Sequence, residues 1–313
     1  MNPDTTPPQS DTSTTGSWYP PAGQAPSGPI LAATDGTPAG ETAFRAASVV
    51  AARLSTSVRV IVVVEPLPVL VPEPSILAQP LVAPPELLDA MRDRVVAQMR
   101  ALAPEGLDWH VEVEYGRPSA EIAHKAGDQK AQLIVIGLVH HGVVDRILDG
   151  DTALEVLRQC HAPVLLAAPD WKTLPMRGVF AVDFSPESMH AARTGLRILG
   201  DGATVILVHV RPKVTIFDET GMWEEEYEAA ATKELGKFAA ALGAPAGMRI
   251  EQVLLSGSPP EAVLRHADKT DADLIVAGTH GAGVMQRLLV GSVATRLMHH
   301  STRSLLIVPR TED

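Results

Sequence analysis

The chain has 313 residues, 45% of them hydrophobic, and a formal net charge of −11. That length suffices for about two domains, each with its own core, and no apolar run approaches the ~18 residues that a membrane span requires. An acidic chain without a Lys/Arg cluster is a poor match for nucleic acid or an anionic membrane, because both attract clustered positive charge. The single cysteine, Cys160, cannot form an internal disulfide, which fits a reducing, cytoplasmic setting.

The first 27 residues are rich in Pro, Ser and Thr. They lack the basic start and the apolar core of a secretory signal. They also contain too few core-forming side chains to fold by themselves. We therefore predict a disordered tail over residues 1–27.

From residue 28 onward the chain contains an internal repeat. Residues 28–54 match 177–199, each with an apolar strand that ends in Asp, a turn and an Ala-rich amphipathic helix. Residues 115–137 match 256–278 without a gap, at a constant shift of 141 residues. A repeat of this length predicts two similar domains in tandem.

Each half reads as five strands that alternate with four helices. Most of the strands are continuous Val/Ile/Leu runs, which indicate strands covered by helices on both faces and hence a parallel sheet. The sequence therefore predicts an α/β protein with two doubly wound domains, at 28–169 and 177–310, joined by a linker at 170–176. In the second half the strands are expected near 178–183, 204–210, 249–255, 273–278 and 304–308.

The excursion after the second strand differs between the halves. In the first half, residues 65–88 are rich in proline and aliphatic side chains. This composition is compatible with a loop packed on its own domain or on the other half, with a ligand lid or with an oligomer contact. The counterpart in the second half is acidic and predicts the start of a helix.

A glycine-rich loop at 278–292 follows the fourth strand of the second half. In a doubly wound sheet, ligands bind at the carboxyl ends of the strands where the strand order reverses, so Asp183 and Gly278 should face each other there. Gly281 has no Cβ and would let a ligand approach the main chain. Ser292 is predicted as the N-cap of the next helix, where backbone N–H groups and the helix dipole favour an anion. The loop therefore predicts a phosphate cradle.

Two common phosphate-binding loops do not fit this segment. A Walker A loop has Lys after its last glycine, whereas Gly291 is followed by Ser292 and Val293. A dinucleotide fingerprint would follow the first strand rather than the fourth. Glycines after a strand and serine before a helix are also ordinary turn and capping residues, so a purely structural role for the loop stays open.

The spacing Gly278-x2-Gly281-x9-Gly291-Ser292 resembles the nucleotide loop of the universal stress protein family, G-2x-G-9x-G-[S/T]. The segments AATDG (32–36), AVDFS (181–185), LVHV (207–210) and SLLIVP (304–309) strengthen the resemblance, which covers about 28–169 and 177–310. It implies two tandem Rossmann-like domains, each with a five-stranded parallel sheet. It also implies ATP, with or without Mg²⁺, in the second half.

The resemblance assigns ligand contacts to eight residues of the second half. Asp183 would meet the adenine, Val210 would line the base, and the first two glycines would pass near the ribose and phosphates. The start of the last helix would hold phosphates through backbone amides and one hydroxyl. Arg287 is either a further phosphate contact or a solvated side chain. The eight residues are Asp183, Val210, Gly278, His280, Gly281, Gly291, Ser292 and Val293.

The first half departs from this pattern at the corresponding loop, 137–151. His140 replaces the second glycine and Asp151 replaces the serine, while Asp149 adds a further carboxylate. These changes predict a nucleotide-free domain, because negative charge at the expected helix start repels phosphate. Asp35 keeps the adenine position, so weak or metal-assisted binding stays open. A metal cluster of His140, His141, Asp149 and Asp151 is a further alternative, although the spacing matches no closed zinc pattern.

Three classes of function follow from the sequence. The first is a nucleotide-binding regulatory protein of the stress response with little or no turnover. The second is a slow ATPase or a protein that phosphorylates itself on Ser292 or Thr295. The third is an interaction scaffold that uses the 66–85 segment.

The last strand of each half is apolar enough to form a contact. The family resemblance implies that the two halves pair through these edges as an intramolecular pseudo-dimer, which would also protect edges prone to aggregation. Self-association of the whole chain into a homo-oligomer is expected as well.

Overall fold

A computed structural model describes residues 27–66, 84–138, 146–211, 222–279 and 290–310. The predicted tail, apart from residue 27, and most of the Pro-rich excursion lie outside these residues. The described part of the first half contains five strands and four helices: β1 (Ile30–Thr34), α1 (Pro38–Leu54), β2 (Val58–Val64), α2 (Pro85–Leu102), β3 (Trp109–Tyr115), α3 (Pro118–Asp128), β4 (Leu133–Gly137), α4 (Arg146–Gln159) and β5 (Val164–Ala167).

The second half repeats this order within the residues that the structure describes. Its elements are β6 (Arg177–Ala181), α5 (Pro186–Arg197), β7 (Thr204–Arg211), α6 (Met222–Leu242), β8 (Arg249–Ser256), α7 (Pro259–Lys269), β9 (Leu274–Gly278), α8 (Ser292–His300) and β10 (Ser304–Val308). Each of the five strands expected in this half is present. The helix expected after the acidic excursion is α6.

The strands form one ten-stranded sheet in the order β3-β2-β1-β4-β5-β10-β9-β6-β7-β8. Within each half the strand pairs are parallel. The first strand of each half lies between the second and the fourth, so the strand order reverses beside it. The predicted fold class, two tandem Rossmann-like domains with parallel sheets, is confirmed.

The two halves meet where β5 pairs with β10 in the antiparallel direction, with Leu165 opposite Leu306. Around this pair, the Ser304 hydroxyl accepts a hydrogen bond from the backbone N–H of Ala168 at 3.0 Å. An ion pair of 2.7 Å also joins Arg53 of the first half to Asp201 of the second. The sheet is therefore continuous across the two halves.

The helices cover the sheet on both faces and create two cores. Alternate residues of each central strand point to opposite faces, as Leu31 and Ala32 of β1 do. One core lies under α1, α2, α5 and α6, and the other lies under α3, α4, α7 and α8. Strands buried on both sides explain why the central runs are uniformly apolar. None of the helices in the described ranges is long and apolar enough to cross a bilayer.

Helix α4 begins earlier than the repeat predicted. It starts at Arg146, so Gly150 and Asp151 lie inside the helix, and the prediction that Asp151 stands at a helix N-terminus is wrong. An interior glycine costs a helix only about 1 kcal/mol relative to alanine. The arginine and leucine before it are among the better helix formers.

The lone cysteine lies just after this helix. Cys160 is buried, and the burial raises the pKa of its thiol to about 11. A thiol with such a pKa is almost fully protonated near neutrality and a poor nucleophile. Its role is therefore to fill the core.

Candidate functional site

A cavity of about 280 Å³ lies at the carboxyl ends of β6, β7 and β9. Because β6 pairs with β7 on one side and with β9 on the other, the cavity lies where the strand order reverses. Ligands of doubly wound sheets bind at this place. The volume is close to the ~300 Å³ lower end of the range for small-molecule sites.

The structure brings six of the eight predicted residues together around this cavity. Their side chains or backbone line its wall: Asp183, Val210, Gly278, Gly291, Ser292 and Val293. The other two, His280 and Gly281, lie outside the described residues, as does Arg287. Most of the remaining wall is apolar and comes from residues such as Val208, Val263 and Ala277.

Asp183 is fixed by a local turn at the end of β6. One carboxylate oxygen, Oδ1, accepts hydrogen bonds from the backbone N–H of Ser185 at 3.0 Å and from its hydroxyl at 2.5 Å. The Ser185 hydroxyl in turn accepts from the backbone N–H of Ser188 and so caps α5. Two hydrogen bonds from Ser185 therefore hold the carboxylate at the rim of the cavity.

Phe184, the next residue, adopts a left-handed backbone with φ of 66°. The matching residue of the first half is Gly36, with φ of 79°, so the turn itself requires this conformation. For a residue with a side chain it costs about 1–2 kcal/mol. The Phe184 ring packs against the imidazole of His209, with 4.3 Å between the ring centroids, and this contact offsets part of the cost.

His209, which was not predicted as a site residue, ties the strand ends together. Its Nδ1 lies 2.8 Å from the backbone oxygen of Val182 and its Nε2 lies 2.9 Å from the hydroxyl of Tyr227. Because a carbonyl oxygen can only accept, Nδ1 donates, and in the neutral ring Nε2 accepts from Tyr227. The tip of β6 that carries Asp183 is thereby linked to β7 and to α6. A histidine inside the otherwise apolar run LVHV was the only signal in the sequence.

Helix α8 begins at the opposite side of the cavity. The backbone N–H of Gly291 donates to the oxygen of Thr279 at 2.7 Å, which holds the helix start beside the end of β9. Gly291 has the extended backbone of an N-cap, and its oxygen accepts from Thr295 at 3.0 Å. The prediction that Ser292 is the N-cap is therefore wrong by one position, since Gly291 is the N-cap and Ser292 is the first helical residue.

Because α8 begins at Ser292, its first backbone amides lie at the cavity. N–H groups in the first turn have no partner within their own helix, and the helix dipole adds a partial positive charge there. Among the cavity-lining residues that the structure describes, none is Lys or Arg. The partial positive charge at the described site therefore comes from the backbone of Ser292 and Val293 and not from cationic side chains.

The first half has a corresponding cavity of about 570 Å³ at the ends of β1, β2 and β4. Its wall includes Asp35, at the place of Asp183. It also includes an ion pair of 2.5 Å between Arg117 and Glu155, and the Ser119 hydroxyl donates to the same carboxylate at 2.6 Å. The cationic side chain of this cavity is therefore already bound to an anion of the chain itself.

No group of three or more His, Cys, Asp or Glu side chains is placed to hold a metal ion in the part of the chain that the structure describes. The metal alternative at His140, His141, Asp149 and Asp151 concerns side chains outside that part. It stays a prediction from the sequence.

Comparison with known proteins identifies relatives of both halves. A model of the universal stress protein family matches residues 27–168 and 176–309. A universal stress protein of Methanocaldococcus jannaschii is 32% identical over 142 residues, which cover 42% of this chain and 81% of that protein. One of Mycolicibacterium smegmatis is 26% identical over 190 residues, covering 58% of this chain and 62% of that protein. The crystal structure of a universal stress protein from Archaeoglobus fulgidus covers 92% of this chain and 98% of its own, with a TM-score of 0.61 and 20% identity. The likeness to this last structure shows the fold.

Proposed function

The chain belongs to the universal stress protein family, and from this premise we propose that its C-terminal half binds ATP and acts as a nucleotide-dependent regulator of the stress response. One observation carries the proposal. A single cavity at the reversal point of the sheet joins the carboxylate of Asp183, an apolar wall and the first turn of α8. These are the groups that a purine base, a ribose and a phosphate chain require.

Each part of the cavity suits one part of ATP. The carboxylate of Asp183 would accept a hydrogen bond from the adenine, and Val210 would pack against the ring. The amides of Ser292 and Val293 would hold phosphate oxygens, with the Ser292 hydroxyl as a further donor. Mg²⁺, where it accompanies ATP, would be held mainly by the phosphates, because no metal-binding cluster exists among the described residues.

We expect little or no turnover. Phosphoryl transfer depends on a cation that neutralises the developing charge and on a residue that positions the nucleophile. The described wall of the cavity offers neither a lysine nor an arginine. ATP would therefore act as a bound signal rather than as a substrate.

We also propose how the two halves are arranged and which of them binds nucleotide. The antiparallel pairing of β5 with β10 supports an intramolecular pseudo-dimer in which the first half is a nucleotide-free partner domain. Self-association into a homo-oligomer and a cytoplasmic location also belong to the proposal.

The nucleotide content of protein purified without added ligand, together with an ATP titration followed by thermal unfolding, tests this function. ATP at ~100 times its Kd should stabilise the protein by about 2.7 kcal/mol, at a stoichiometry of one per chain and with ADP release at background. Gly281→Val should abolish the shift. The same substitution at Gly236 of α6, where an added Cβ meets only one atom within 4 Å, at 4.0 Å, should leave it intact.

Two other outcomes would replace the proposal. Turnover that is lost in Ser292→Ala would identify an ATPase or a self-phosphorylating protein. Indifference to every nucleotide would leave an interaction scaffold.

A further inference from the structure

The cavity of the first half has the walls of a ligand site but not those of a nucleotide site. At about 570 Å³ it falls within the ~300–1,000 Å³ range of small-molecule sites. Four aliphatic side chains form its apolar surface: Ile61, Val63, Ile122 and Ile136. A flat ring would find a hydrophobic contact there.

The polar groups of this cavity carry an excess of negative charge. Three carboxylates line it, those of Asp35, Glu65 and Glu155, against the one guanidinium of Arg117 among the described lining residues. Glu155 already holds Arg117 at 2.5 Å and Ser119 at 2.6 Å. The charges of Asp35 and Glu65 therefore stand without a cationic side chain in the described wall.

Phosphate has no corresponding place in this cavity. Helix α4 begins at Arg146, several residues before the position that matches the start of α8, so its first-turn amides do not lie at the matching place. The start of α3 does face the cavity, through Pro118 and Ser119. The anion that lies there is the carboxylate of Glu155.

We propose that the cavity of the first half binds a small ring-bearing organic cation of nucleoside size and rejects phosphorylated ligands. The apolar surface would receive the ring, and the carboxylates of Asp35 and Glu65 would attract its positive charge. Phosphate would meet the same carboxylates and be repelled. The proposal is independent of ATP binding in the other half, because it uses different residues.

Three ligands that share one ring system test the preference in the full-length Gly281→Val variant, because adenine ligands should no longer bind its C-terminal half. The double variants described below carry the same substitution. 1-Methyladenosine carries a positive charge on its ring near neutral pH, adenosine is neutral, and AMP is an anion. Calorimetric titration should give affinities in that order, with 1-methyladenosine at least about tenfold tighter than AMP. Added NaCl should weaken the binding of the cation, since the attraction is exposed to solvent and screened.

A double variant assigns the binding to this cavity. Asp35→Asn/Glu65→Gln should reduce the affinity for 1-methyladenosine about tenfold, whereas the control Glu105→Gln/Asp108→Asn should not. The control removes the same two charges from the exposed loop before β3. All four substituted side chains are exposed, and thermal unfolding would verify that both variants fold.

Several results would overturn the proposal. In the Gly281→Val background these are absence of 1-methyladenosine binding, AMP binding at least as tight as that of 1-methyladenosine, and an affinity for 1-methyladenosine that does not respond to NaCl. An equal loss of affinity in both double variants would overturn it as well. Binding that persists unchanged in Asp35→Asn/Glu65→Gln would place the cation elsewhere and also refute it. None of these results bears on ATP in the C-terminal half, which has its own test.

Discussion

Helices α4 and α8 occupy the same place in the repeat but begin at different positions. Helix α8 begins at Ser292, directly after an extended glycine that is bonded to the end of β9. Helix α4 begins at Arg146, a position that corresponds to Arg287 of the second half. One half therefore presents a helix start at its cavity, whereas the other has continuous helix at the matching residues. An earlier helix start thus removes the free first-turn amides from the matching place in the repeat.

The two halves also differ in how the end of the first strand is held. In the second half, His209 bonds the oxygen of Val182 and the hydroxyl of Tyr227. Val62 stands at the place of His209 in the first half and is buried with apolar neighbours. The second half thus adds a polar link, which reaches helix α6, directly behind its candidate binding residue Asp183.

The largest expected effect comes from placing an aspartate at position 292, where the first half has Asp151. Ser292→Asp should weaken ATP binding by more than about 100-fold, because a carboxylate would stand where the amides of α8 meet phosphate. Calorimetric titration with ATP measures the change. Thr302→Asp adds the same charge at an exposed position beyond α8 and should change the affinity less than about threefold. An ATP affinity in Ser292→Asp equal to that of the control would mean that phosphate binds elsewhere.

A hydrogen bond at the junction of the two halves should have the next largest effect. In Ser304→Ala the backbone N–H of Ala168 would lose its buried acceptor, which should lower the free energy of unfolding by about 2 kcal/mol. Urea unfolding measures the loss, with the exposed Thr302→Ala as the control. The match of Ser304 in the first half is Pro163, so this hydrogen bond is made by one half only. Equal stability of the two variants would show that β5 and β10 do not depend on it.

A smaller effect is expected at the link behind Asp183. Tyr227→Phe removes the donor to Nε2 of His209 and should lower the free energy of unfolding by about 1 kcal/mol. If the link positions Asp183, ATP affinity should fall by a few-fold as well, a change that a merely structural role would not produce. Tyr115→Phe is the matched control, because the Tyr115 hydroxyl makes no hydrogen bond to the residues that the structure describes. Unchanged ATP affinity in Tyr227→Phe would restrict the link to stability.

The sequence predicted those features that depend on periodicity and on strand order. Continuous apolar runs predicted the parallel sheet, and the repeat predicted that Asp35 and Asp183 occupy matching places. The start of α4 was missed because the summed helix preference of several residues outweighs one interior glycine. The bond between His209 and Tyr227 was missed because the residues lie 18 positions apart, across a variable excursion. A histidine in an apolar strand shows that a polar partner is needed but does not identify it.

The smallest expected effect again separates the halves, through the pH dependence of stability. Burial, and then the charge of Arg193, lower the pKa of His190 in α5 below its ordinary value. The matching residue of α1 is Thr42, which does not titrate. Below a pH of about 6.5 the unfolded chain binds a proton at His190 that the folded chain resists. The free energy of unfolding should therefore fall as the pH drops from about 7.5 towards 5.

His190→Thr introduces the residue found at the matching position of the first half and removes the titrating group. The melting temperature of the variant should therefore fall less than that of the unsubstituted protein over the same pH interval. The comparison uses the change with pH within each protein. A constant difference in stability caused by the substitution itself therefore cancels. Parallel pH profiles would show that His190 is protonated equally in the folded and unfolded chains, and that the acid sensitivity of the second half comes from its other titrating groups.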